Sequence, residues 1–405
     1  MITWHFPTSF NFFYRPKRDL MHLFLSGVAR RVAVVLLSLF SSIYIFQIAR
    51  DLGFAPALAI IFLLLYFLLG LFTKLVSLVI SENLSQRIGF KGTIWASAIP
   101  FAVFLPSIIF AASKPYLFLL AAVSWGFHAG LFWWGYHGYF IKTGERHHFG
   151  QGVGEANLLE TLAVALTPIV GAFIASYLGF TAVFIASSLF MFASLILLGK
   201  DHDKRQRRDV RFVDVLKLIK THKSISLAYI GAGAETYIYF VAWPLFLFLL
   251  FGQVITLGLI VSLSTLFAAV FAVIVGRWVD RQGERKVVAV GAPLLSIAWI
   301  IRFVTKSLPA FVLADSIWNF GQRMLILPLN VLTYKKGLET GVGRAILFRE
   351  TSLIIGGVVA LLTLIVVIYL GGDLSGGFVA AAIFSTLPLV SVIKHRIHDA
   401  DEKEE

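Results

Sequence analysis

Cysteine is absent from all 405 positions, so disulfides, thiolate metal ligands and cysteine nucleophiles drop out together. Charge is scarce too: Asp, Glu, Lys and Arg make up 14% of residues against 58% hydrophobic ones, with a mean hydropathy of +0.85. One aqueous core cannot hide that much apolar surface. No P-loop, nucleophile elbow, zinc motif or dinucleotide fingerprint occurs, which excludes an ATP-driven pump within this chain. No cleavable signal peptide is expected, since the first twenty residues carry Arg15, Lys17 and Arg18 but no short apolar core ending in small residues. No cofactor or metal is expected either. His147 and His148 have no acidic or Cys partner at ligand spacing.

What the chain does have is a series of apolar runs of about 20 residues, the length that crosses a bilayer. They fall at 22–49, 56–80, 92–112, 115–141, 153–178, 180–199, 225–251, 256–276, 287–305, 309–334, 345–370 and 375–393. None shows the alternation of a strand barrel. The expected fold is an all-α polytopic membrane protein with twelve transmembrane helices.

About 28 of the 35 Lys and Arg fall in the N-terminus, the even-numbered loops and the C-terminus, and only Arg50, Lys114 and Lys306 on the other side. That positive-inside asymmetry puts both termini in the cytoplasm. It also accounts for the +13 net charge without nucleic acid. The expected segments are a cytoplasmic N-terminus 1–21, a six-helix bundle 22–199, a basic linker 200–224, a second bundle 225–394 and a charged tail 395–405. In the linker, Val213, Leu216 and Ile219 recur at helical spacing while Arg211, Asp214 and Lys217 share another face, the pattern of a short helix on an anionic leaflet.

Between two apolar runs stands Gly276-Arg277-Trp278-Val279-Asp280-Arg281-Gln282-Gly283-Glu284-Arg285-Lys286. About 190 residues earlier, Glu82-Asn83-Leu84-Ser85-Gln86-Arg87-Ile88-Gly89-Phe90-Lys91 reads as a worn copy. Other fragments repeat at the same offset: Ser124-Trp125-Gly126-Phe127 with Ile317-Trp318-Asn319-Phe320, and Val153-Gly154 with Val342-Gly343. A loop G-x-x-x-D-R-x-G-x-[RK]-[RK], twice over, resembles the signature loop of the major facilitator superfamily. The resemblance spans about residues 22–394 and implies two parallel six-helix repeats with a substrate site between them near the midplane. Two features depart from the family pattern. The run Trp125-Gly126-Phe127-His128-Ala129-Gly130 lacks the fourth-helix Arg that many members use to move protons. The fifth-helix run around Pro168 keeps small residues but loses most glycines.

Ionisable side chains inside a bilayer are costly and are therefore functional candidates. The resemblance places helices one, four, seven and ten around the cavity. Glu235 at mid-depth in the seventh helix is then the expected coupling carboxylate, with Arg323 of the tenth as the charge that sets its affinity for a proton. Asp315, Asn319, Gln322 and Arg323 share one side of the tenth helix and are expected to line the cavity. On the fourth, Trp125 and Tyr136 are expected to stack on substrate and His128 to titrate. An inert ion pair and ordinary aromatic packing are the competing readings.

Arg302 is expected to snorkel to the headgroups. Gly276, Asp280, Arg281 and Gly283 are expected to form a conformational latch, with Arg87 and Gly89 as a weaker mirror. Lys74 is expected to pair with Glu350 across the halves, Arg349 and Glu160 being the rival partners.

These readings converge on a monomeric secondary transporter in the plasma (cytoplasmic) membrane, a cell inner membrane, moving a small solute with protons. Export of an amphipathic or drug-like compound leads, and uptake of an organic anion held by Arg323 follows. A polytopic enzyme on lipid-linked substrates or a non-transporting sensor is the alternative of another class. Short outer loops, whose acidic residues are Asp51 and Asp373, weigh against the enzyme.

Overall fold

Two apolar helical runs are too long for one crossing, and the places where they turn set the plan of the fold. The computed structural model describes residues 18–144, 161–199, 212–269, 275, 278–279 and 281–390, and among these there are helices and no strand. Seven helices are long and apolar enough to cross a membrane, with Val254–Phe267 a shorter apolar one. One of the seven, Pro56–Phe110, has 55 residues. At 1.5 Å per residue it measures about 80 Å, against a hydrocarbon core of about 30 Å. It breaks at Gly89, whose φ of 76° and ψ of 175° are outside helical space. Only a residue without Cβ enters that region at little cost. Gly283, in the second copy of the loop motif, adopts nearly the same conformation, φ 81° and ψ 157°. The repeated sequence is thus also a repeated turn.

The described helices are α1 (Arg18–Asp51), α2 (Pro56–Ala96), α3 (Ala98–Phe110), α4 (Leu117–Thr143), α5 (Thr167–Leu198) and α6 (Phe212–Thr221) in the first part of the chain. They continue with α7 (Lys223–Phe251), α8 (Val254–Ala269), α9 (Glu284–Val304), α10 (Leu308–Thr340), α11 (Val342–Tyr369) and α12 (Gly376–Phe384). The α5 run turns at Gly179, as α2 does at Gly89. The expected third helix at 92–112 is therefore divided between the end of α2 and α3.

Small residues decide which helices touch. A Cβ on Gly126 of α4 would collide with Thr73 and the Gly70 carbonyl of α2, and one on Gly130 with Ser77. The two helices approach closely enough for Ser77 Oγ to donate to the Phe127 carbonyl at 2.8 Å and Trp134 Nε1 to Ser85 Oγ at 3.0 Å. Within the first half α2 packs on α4 and α1 on α5; within the second, α9 packs on α10 and α7 on α11. The halves meet where α1 touches α7, α2 touches α11, α5 touches α8, and α4 touches both α10 and α11.

The linker forms a helix, α6, and most of its expected apolar stripe is left uncovered by the bundle. Val215 is buried against the bundle, while Val213 and Leu216 stay 62% and 43% exposed. Gly276, Asp280, His147, His148, Glu160 and the first part, 153–160, of the expected fifth run lie outside the described residues.

Candidate functional site

A cavity of about 380 Å³ lies between the halves, walled by α1, α2, α3, α4, α5, α7, α8, α10 and α11. Its aromatic side comes from α4, where Trp125, Phe132, Trp133, Tyr136 and Phe140 fall on one stripe of a 3.6-residue period. Opposite, α10 presents Trp318, Asn319, Gln322, Arg323, Asn330 and Tyr334 on one stripe. Trp125 and Trp318, from the repeated fragments, thus both reach the cavity.

Charge in this wall is one-sided. Arg30, Arg31, Lys74, Arg323 and Arg349 line it, against the single carboxylate of Glu350 among the described residues. Arg30 lies with its guanidinium carbon 3.5 Å from the Phe132 ring centroid and 4.8 Å from that of Trp133. Such a cation–π arrangement places a positive charge beside an aromatic surface. Arg323 donates to the hydroxyl of Thr161, joining the two halves.

The floor is a shared ion cluster. Lys74 Nζ lies 2.7 Å from Glu350 Oε2, and Arg349 binds the other oxygen of the same carboxylate. Arg349 also donates to Asn330 Oδ1 at 2.8 Å. His137 stands with Nε2 3.7 Å from Glu350 and Nδ1 2.9 Å from the Tyr334 hydroxyl. The Tyr334 ring stacks on Phe140 with centroids 4.5 Å apart. Lys74, His137 and Phe140 belong to the first half; Glu350, Arg349 and Tyr334 belong to the second. The cluster therefore stitches the halves together.

Of the expected cavity residues, Trp125, Tyr136, Asn319, Gln322 and Arg323 line the space, and Glu235, Asp315 and His128 do not. Glu235 is fully buried, its Oε1 accepting the indole N–H groups of Trp299, at 2.9 Å, and of Trp318. The Glu235–Arg323 pair is not made. Arg323 lies five residues beyond Trp318, about 7.5 Å further along α10, and the indole reaches the carboxylate first. The guanidinium whose field bears on Glu235 is that of Arg302.

Arg302 does not snorkel. It is fully buried, ion-paired to Asp315 and surrounded by Tyr239, Trp243, Trp299 and Trp318, with ring centroids 4.3 to 5.6 Å away. Asp315 turns from the cavity stripe because Arg302 and the hydroxyl of Ser264 claim its two oxygens. His128, at 1% exposure, donates from Nδ1 to the Ser97 carbonyl at 2.9 Å and packs against Phe101 and Trp125. The latch candidates Arg281 and Arg87 are exposed, and Gly283 and Gly89 form the paired turns. Among the described residues, no group of His, Asp or Glu is arranged to hold a metal.

The sequence reading misses Arg30 and Arg31 as site residues and has Arg349 only as a rival partner of Glu350, whereas the structure has Glu350 take both Lys74 and Arg349. The signal was present in the tandem Arg30-Arg31 inside the first apolar run, where the cost of intramembrane charge already marks candidates.

The geometry fits what comparison with known proteins finds. The family model described as Major Facilitator Superfamily matches residues 23–224 and 225–404. No curated protein matches the sequence. Among solved structures, the chain is similar to the human organic anion transporter MFSD10 (TETRAN), at 16% identity and a TM-score of 0.67, over 94% of this chain and 100% of that one. It is also similar to a D-xylose-proton symporter, at 15% identity and a TM-score of 0.69, over 90% of this chain and 96% of that one.

Proposed function

For a chain that belongs to the major facilitator superfamily, and so to multi-pass membrane transporters rather than enzymes, we propose a substrate class: an amphipathic organic anion. The observation that carries this is the cavity wall, with five Lys or Arg side chains against one carboxylate among the described residues, facing an aromatic stripe. A cation meets mostly like charge along that wall, whereas an anion with a flat apolar body meets both a basic and an aromatic surface. Each charge-assisted hydrogen bond contributes about 1.5–3 kcal/mol. One structural neighbour is named an organic anion transporter and the other a proton symporter. At such low identity they carry the fold alone, and the argument rests on the cavity.

The proposed mechanism is alternating access coupled to protons, with twelve crossings and the basic loops in the cytoplasm. Lys74 and Glu350 sit on opposite halves and part as the halves rock. The 276–286 segment is proposed to latch the same end through Asp280, so Asp280→Asn shifts the balance between inward- and outward-facing forms. An unchanged balance and rate in that variant rejects the latch.

Flux into proteoliposomes tests the substrate class. Aromatic carboxylates or sulfonates should be carried in preference to cationic analogues of equal size, and Arg323→Gln or Arg30→Gln should lower anion flux about tenfold or more. Equal flux of cationic analogues would sink the proposal. The sign of the pH gradient that drives accumulation separates export from uptake.

A further inference from the structure

Behind the cavity wall, a second cluster holds two carboxylates and one guanidinium. Glu235 of α7, Arg302 of α9 and Asp315 of α10 are all at 0% exposure, and none of them lines the cavity. Asp315 accepts from Arg302 on one oxygen and from Ser264 on the other. Glu235 accepts both indoles on Oε1, and its Oε2 has no hydrogen-bond partner.

The surrounding helices bring no further cation into the cluster. α8 and α12 contain no ionisable residue at all. On α11, Arg349 and Glu350 are committed to each other and to Lys74 at the cavity floor. Arg31 of α1 lines the cavity, and its charge bears on Tyr239 while Arg302 is the cation beside the two carboxylates. The one other titratable group in the cluster is Tyr239, stacked flat on Trp318 with centroids 3.5 Å apart. If both carboxylates were ionised, the sealed cluster would carry one uncompensated negative charge, which costs several kcal/mol in a dry interior.

We propose that Glu235 and Asp315 form a one-proton site around Arg302, with the proton on Glu235 Oε2 and Trp318 as its lid. The hydrogen bonds choose the oxygen. Three of the four carboxylate oxygens already accept from a donor, and only Oε2 is bare. The lid follows from position: Trp318 and Tyr239 line the cavity while the carboxylate directly behind them does not. The wall there is one aromatic layer thick. When Trp318 withdraws, Oε1 loses a donor and cavity water reaches Oε2. The O–H bond then breaks, the proton passes to that water, and the carboxylate remains beside Arg302. The use of this proton in transport rests on the proton-coupled reading above, but its presence does not.

Infrared spectroscopy of the purified full-length protein at neutral pH, without substrate, tests the site. A carboxylic-acid carbonyl band that shifts in D₂O is expected in the wild type and absent in Glu235→Gln. It should also vanish in Asp315→Asn, because the remaining carboxylate then ionises against Arg302. A band that survives Asp315→Asn overturns the shared proton, and a wild type without any such band overturns the site even if Glu235→Gln fails to fold. Trp318→Phe should speed deuterium exchange of the band tenfold or more; unchanged exchange overturns the lid. In proteoliposomes Glu235→Gln should keep solute exchange and lose accumulation driven by a pH gradient. Accumulation retained in that variant overturns the proton's role in transport, while failure of anion selectivity alone leaves the infrared result standing.

Discussion

At the cavity floor one carboxylate, Glu350, is shared by Lys74 and Arg349, whereas inside the second half one guanidinium, Arg302, stands against two carboxylates. The floor cluster has excess positive charge, touches the cavity and joins both halves. The inner one has one carboxylate more than it has cations, is sealed, and lies wholly within α7, α8, α9 and α10. An ion pair between moving bodies has to break in each cycle, so it benefits from a second partner that keeps the carboxylate compensated. Arg349 supplies that on the Glu350 side. An ion pair inside one body survives the movement and can carry a different load. The contrast separates charges that report the position of the halves from charges that travel unchanged with one of them.

The largest expected effect comes from Arg302→Met. Removing the only cation from a sealed cluster should cost about 3–5 kcal/mol, read as loss of folded protein or a lowered unfolding midpoint in detergent. Near-wild-type stability would mean that water reaches the cluster and that it is not sealed. Glu350→Gln leaves Lys74 and Arg349 facing each other, but beside a cavity that water can enter. Its cost should be smaller, about 1–3 kcal/mol, accompanied by strong loss of transport. If it destabilises as much as Arg302→Met, the distinction between a wet and a dry cluster fails.

Lys74→Met keeps the Arg349–Glu350 pair, so it should shift the balance of states more than the stability. In this cysteine-free chain, a single cysteine introduced by Phe140→Cys reports the shift through its labelling rate. Equal rates with and without the Lys74→Met substitution would detach the pair from the rocking. Tyr334→Phe removes the contact with His137 and keeps the stack on Phe140. It should cost only about 0.5–1.5 kcal/mol, and a larger loss would make that hydroxyl part of the latch.

Much of this was legible in the sequence, and the exceptions share a cause. Helix period put Asn319, Gln322 and Arg323 on one stripe of the tenth helix, and the resemblance turned that helix and the aromatic fourth helix, with Trp125 and Tyr136, toward the cavity. Lys74 and Glu350 were legible as charges at matching depth on helices that resemblance makes neighbours. The partners of Glu235 were not, because a carboxylate at mid-depth accepts from whichever donor reaches it, and two indoles from different helices do so. Arg302 lies two residues before the end of α9 and reads as a headgroup charge. The turn to α10 at Ser307 is so short that α10 returns Asp315 to its side. Depth along a helix follows from counting, whereas rotation about its axis depends on the neighbours.

The glycine seam between α4 and α2 has a mechanical meaning. With Gly126 and Gly130 seated against Thr73 and Ser77, there is no slack for one helix to slide on the other. Trp125 and Tyr136 are mounted on one plank of this lever and Lys74 on the other. Any displacement of the aromatic face is therefore expected to carry Lys74 with it, away from Glu350, without any wire of intervening side chains. Loosening the seam with a residue larger than glycine should let each plank move alone. Binding would then persist while the stroke it drives is lost, as a gear with worn teeth still turns without moving its partner.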